Sequence, residues 1–181
     1  MSVWIEFLGY QAVWFAAVIA AGHGHWWPGA LAAALFVAIQ LAVAPRRSAL
    51  LRLLAAALLA GAIVDGALAL SGLARYAAAW PSPQFAPLWI LGLWCAFATT
   101  LLRSLRALRH RPALAALLGL IGAPLAYSGA ARGFGAVAFA EPAWHGLLAL
   151  ALGWAAALPW LARVGRDGAR GACVAASGAG A

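Results

Sequence analysis

The sequence predicts an all-α fold, a polytopic membrane bundle of six transmembrane helices with both termini cytoplasmic. Three observations predict it. Of 181 residues, 66% are hydrophobic and 9% charged, against about 25% charged in a soluble domain. With a mean hydropathy of +0.92, there is too little polar surface to coat a water-facing globule. Six apolar runs approach the roughly 20 residues that cross a bilayer core, and the arginines gather at alternate ends of those runs. Together these exclude a soluble enzyme, a disordered chain and a disulfide-rich secreted domain. The two cysteines, Cys95 in an apolar run and Cys173 near the C-terminus, lie in different phases and make no metal-binding spacing.

The runs cover residues 3–21, 27–44, 50–72, 88–106, 112–130 and 142–161, one bundle domain over 1–161, followed by a flexible cytoplasmic tail over 162–181. The first is no cleaved signal peptide, because Glu6 stands where a basic segment is needed. Pro28, Pro87, Pro112 and Pro142 stand at or beside four of the starts, where a missing N–H costs no helical bond. Residues 133–140 are too few for a seventh span and read as an interfacial or re-entrant stretch.

All basic residues are arginine. Arg46, Arg47 and Arg52 flank the second turn, Arg103, Arg106, Arg109 and Arg111 the fourth, and Arg163, Arg166 and Arg170 follow the sixth run. A six-span path puts these on one side, which the positive-inside rule makes cytoplasmic in a bacterial inner membrane. Only Arg75 and Arg132 fall opposite. The net charge of +8 therefore reports topology, and nucleic acid is excluded as a partner. Trp26, Trp27, Trp80, Trp89 and Trp144 mark the outer ends, and Trp4 and Trp160 the inner ones.

Lipid tails are as apolar as leucine, so small residues must supply the close packing between helices. Gly61, Ala62, Asp65, Ala69 and Gly72 recur at helical spacing in the third run and predict a face that meets another backbone, carrying Asp65 with it. Gly119, Gly122 and Pro124 thin and kink the fifth run; Gly129 and Gly133 form a GxxxG.

Chemistry is confined to the polar residues. Asp65 needs a partner, water or a proton in the membrane: it is an interhelical hydrogen-bond site, or a ligand or proton site. Arg132 either pairs with it or snorkels to the outer headgroups. Glu141 opens the sixth helix one turn before His145, and His23 and His25 lie on the same outer side. Asp65, Tyr127, Arg132, Glu141 and His145 form the candidate polar cluster. His23, His25 and His145 are the only candidates for a metal; none is assigned, and no cofactor is implied. Glu6, Gln11 and Gln40 read as bundle hydrogen bonds, and Thr99, Thr100 and Ser104 as returning bonds to their own backbone.

Two stretches carry a resemblance. One is Pro87-Leu88-Trp89 with Trp94, Phe97-Ala98-Thr99-Thr100-Leu101 and Ser104-Leu105. The other is Gly122-Ala123-Pro124-Leu125-Ala126-Tyr127 with Gly129-Ala130 and Gly133. With Trp14-Phe15-Ala16 and Asp65, the chain resembles the DUF2878 family of bacterial inner-membrane proteins over about residues 10 to 140. The family's Asn-His pair after Thr-Thr-Leu is here Leu102-Arg103. The resemblance implies a multi-span protein of undefined activity, associated with enzymes of the cyclopropane-synthase type that modify membrane fatty acids.

Three functions follow as expectations. The first is an accessory protein, with membrane lipids and a membrane-associated fatty-acid-modifying enzyme as partners. It is motivated by the missing catalytic motifs and a basic inner face that attracts anionic headgroups. The second is a proton-coupled carrier using Asp65 and Arg132. The third is a metal-assisted membrane enzyme using His23, His25, His145 and Glu141.

Overall fold

The computed structural model describes residues 3–178, with side chains described for 3–166. Six α-helices follow the six runs: α1 Val3–Gly22, α2 Trp27–Ala42, α3 Arg47–Leu70, α4 Leu88–Thr100, α5 Pro112–Phe134 and α6 Trp144–Gly178. Among the described residues four are long and apolar enough to cross a membrane: α1, α3, α5 and the Trp144–Arg166 part of α6. At 16 and 13 residues, α2 and α4 are apolar but shorter. Pro28 and Pro112 occupy first turns and Pro87 is the N-cap of α4, with extended backbone.

Several boundaries differ from the sequence expectation. α6 starts two residues after Pro142 and runs past Leu161 to Gly178, so most of the expected tail continues the helix; 179–181 lie outside the described residues. α5 extends to Phe134 before Gly135 caps it in the left-handed conformation (φ 63°). α4 stops six residues early. Thr99 and Thr100 donate to the carbonyls of Ala96 and Phe97, at 2.8 and 2.6 Å. The backbone there changes to i→i−3 bonds, Leu101 to Ala98 and Leu102 to Thr99, before a 3₁₀ helix over Arg106–His110. Hydroxyls that bond nearby carbonyls compete with regular helix propagation.

Residues 133–140 are no re-entrant loop. Val137–Phe139 (β2) pairs antiparallel with Ala74–Tyr76 (β1), with Tyr76 opposite Val137. This two-stranded ribbon clamps the α3–α4 connection to the α5–α6 connection and sets Tyr76 over the end of α3.

Small residues pack the helices as expected, though with different partners. A Cβ built on Gly119 would overlap the Trp154 carbonyl oxygen, so α5 and α6 meet backbone to backbone. Gly29 touches Ala17 on α1 and Gly92 touches Ala33 on α2. Gly61 does face inward, but against the Trp94 indole rather than a backbone. Gly72 lies beyond α3 with φ 72° and is exposed. The GxxxG is no contact motif, since nothing lies within 4 Å of a Cβ at Gly133. α4 sits innermost, against α1, α2 and α3, while α5 leans on α6 and meets α1 sparingly.

Candidate functional site

Asp65 is fully buried, one turn before the end of α3. Three elements bring donors to its carboxylate. The Tyr127 hydroxyl from α5 donates to Oδ1 at 2.7 Å, the Tyr76 hydroxyl from β1 donates to the same oxygen at 2.8 Å, and Trp94 Nε1 from α4 donates to Oδ2 at 2.6 Å. A carboxylate is acceptor-only, and three donors offset much of the desolvation that burial imposes. The site therefore locks α3, α4, α5 and the ribbon together. Tyr76 lies outside the spans; burial, with the Asp65 charge and hydrogen bond beside it, holds its phenol well above the usual tyrosine range.

Trp94 also stacks on Trp154 of α6, centroids 3.9 Å apart. Below that stack lies a cavity of about 280 Å³. Tyr10, Gln11 and Trp14 of α1 line one wall, Trp94 and Phe97 of α4 the back, and Ala123 and Tyr127 of α5 the opposite wall. Toward the C-terminal ends of α1 and α5, Trp14 meets Phe134 edge-on, and Gly22 lets the α5 backbone approach, so the two helices close there. Toward the other end, Phe7 and Leu118 line the cavity and are exposed. The opening therefore faces sideways, between α1 and α5. No charged residue lines it.

A second polar cluster binds the opposite end of the bundle. Glu6 is 1% exposed. Its Oε1 accepts from Gln40 Nε2 at 3.1 Å, and its Oε2 accepts from the Ser104 backbone N–H at 3.0 Å and from the Ser104 hydroxyl. Glu6 thus ties α1 to α2 and to the turn after α4. Ser104 does not return a bond to its own helix, as Thr99 and Thr100 do. Nearby, Arg103 donates to the Val43 carbonyl, and Arg109 to that of Gly165, at 3.4 and 3.5 Å. Burial and the neighbouring Arg106 charge lower the Arg109 guanidinium from its ordinary value.

Of the expected cluster, the structure joins only Asp65 and Tyr127. Arg132 is exposed at the end of α5, and the Asp65 bonds go to neutral donors, so the Asp65–Arg132 pair is not formed. Glu141 and His145 are exposed; His145 packs on the adjacent Trp144 ring. His23 Nδ1 bonds the Ile19 carbonyl of its own helix end at 2.8 Å, and His25 is exposed. Among the described residues no three His, Cys, Asp or Glu side chains gather as metal ligands. Sequence reasoning missed Tyr76 and Trp94 as Asp65 partners. The signal was faint: a Tyr and a Trp, residues that combine an apolar body with one donor, near a buried acid.

No curated protein and no solved structure matches the chain. The model of a family described as protein of unknown function, DUF2878, matches residues 3–160. That match extends beyond both ends of the stretch on which the motifs resemble the family, and the chain belongs to the DUF2878 family.

Proposed function

We propose that this protein is a six-span inner-membrane protein with cytoplasmic termini. On this reading it holds an apolar chain of a membrane lipid and presents it to a membrane-associated fatty-acid-modifying enzyme. The observation that carries the reading is the uncharged, aromatic-walled cavity opening sideways between α1 and α5. A chain could enter it from the bilayer without crossing a polar surface. Its size is near the lower end of ligand pockets, roughly 300–1,000 Å³. Support for six spans comes from the faces of the short helices. α2 exposes Leu31, Leu35 and Ile39 in one stripe, as a lipid-facing helix does, whereas α4 is enclosed by its neighbours and needs less length. The association with a fatty-acid-modifying enzyme follows from family resemblance.

The test is composition. Protein extracted in mild detergent is expected to carry acyl lipid above the level of the surrounding membrane, and deletion is expected to alter the cellular fatty-acid profile. Extracted protein without enriched lipid, together with an unchanged profile, overturns the proposal. The carrier reading lacks comparable support, because fixed neutral donors hold Asp65 and Arg132 stands apart.

A further inference from the structure

The cavity wall is mostly apolar, and three of its polar groups stand without partners. Trp154 Nε1 is buried and makes no well-formed hydrogen bond, with the Tyr127 hydroxyl, itself committed to Asp65, as its near neighbour. The Gln11 amide and the Tyr10 hydroxyl line the same cavity, and neither forms a hydrogen bond among the described residues. Gln11 lies eight residues into α1, about 12 Å along its axis at 1.5 Å per residue, and so near mid-membrane. Lipid offers no partner at that depth, and unmet polar groups there are costly. Other polar side chains buried among the helices, Asp65, Glu6 and the two threonines, are bonded. Three unmet groups on one cavity therefore mark a place where something else supplies the partners.

Resting on the reading of the cavity as a lipid site, we infer that it selects a single chain bearing an uncharged oxygen function, an ester, carbonyl or hydroxyl. The oxygen accepts from Trp154 Nε1 and the Gln11 amide, and the hydrocarbon lies along Phe97 and Leu158 toward the Phe7–Leu118 opening. A charged head is excluded because no counter-ion lines the wall and an isolated charge there is desolvated. A plain alkane is disfavoured because it leaves all three groups unmet.

The test uses the full chain in lipid nanodiscs and three brominated probes of equal chain length: methyl dibromostearate, dibromooctadecane and ionised dibromostearate. Bromine quenches contacting indoles, and Trp14, Trp94 and Trp154 line the cavity. The ester is expected to bind about tenfold more tightly than the hydrocarbon, the ratio of roughly one net hydrogen bond. Gln11→Leu, which leaves Trp14, Trp94 and Trp154 as reporters, should shrink that ratio several-fold through weaker ester binding, with the hydrocarbon bound no less tightly, and the conservative Tyr10→Phe should shrink it as well. Equal affinity for ester and hydrocarbon, or preference for the ionised acid, overturns the selection while leaving a lipid site. Quenching no greater than in the cavity-filling Gly122→Phe, for every probe, overturns the lipid site as well.

Discussion

Asp65 shows how a single residue sets the bundle. Its carboxylate receives bonds from Tyr76, Trp94 and Tyr127, so its removal strands three buried donors. Each unmet group costs about 1–3 kcal/mol. Asp65→Ala is therefore expected to lose at least about 3 kcal/mol, read as a large drop in thermal unfolding temperature in detergent. Asp65→Asn, which retains one carbonyl acceptor, should lose less. Tyr76 adds a pH dependence of known sign. Its phenol is raised above the usual value near 10 in the folded state. Its stabilisation is fully present below about pH 10 and is lost as pH rises beyond that. Unfolding followed from pH 8 upward should show a fall above about pH 10 that Tyr76→Phe diminishes. That Asp65 needed partners was legible in the sequence, because a lone acid in an apolar run has few alternatives. Which partners was not, because Arg132 looked suitable by charge and side, whereas the ribbon and α4 deliver neutral donors first.

At the scale of elements, glycines separate true helix contacts from composition. Gly119→Ala would push a methyl against the Trp154 carbonyl and should cost about 1–3 kcal/mol, the usual range for overpacking. Gly133→Ala meets nothing and should be neutral or stabilising by up to about 1 kcal/mol, through helix propensity. Unfolding of the two variants in parallel checks both statements. In a chain so rich in Gly and Ala, spacing could not tell these positions apart; only the approach of a neighbouring backbone does. The ends of α4 and the ribbon were hidden for a related reason. Hydropathy continues through Leu101–Leu105 while the hydrogen bonding changes, and three-residue strands are too short for a period-two signal. The turn after α4 is fixed from a distance by Glu6, and Glu6→Ala should destabilise by about 2–3 kcal/mol and raise the reactivity of a probe at Ser104→Cys.

Across the whole molecule, the arginine-rich ends meet, as Arg103 on Val43 and Arg109 on Gly165 show, while Arg75 lies beyond the opposite end of α3 and Arg132 in the last turn of α5. With the native cysteines replaced, Arg106→Cys should resist an impermeant thiol reagent on intact cells and Arg75→Cys should react; the reverse pattern would invert the proposed topology.

The sequence by itself determined that the chain is an apolar helical protein with two chemically distinct ends, because hydropathy and charge act on each segment independently of what it later touches. Where a cavity opens, which donors reach Asp65 and which glycine admits a neighbour were decided only by the tertiary structure. Those depend on distances between segments far apart in the chain, and short-range residue patterns carry no record of them.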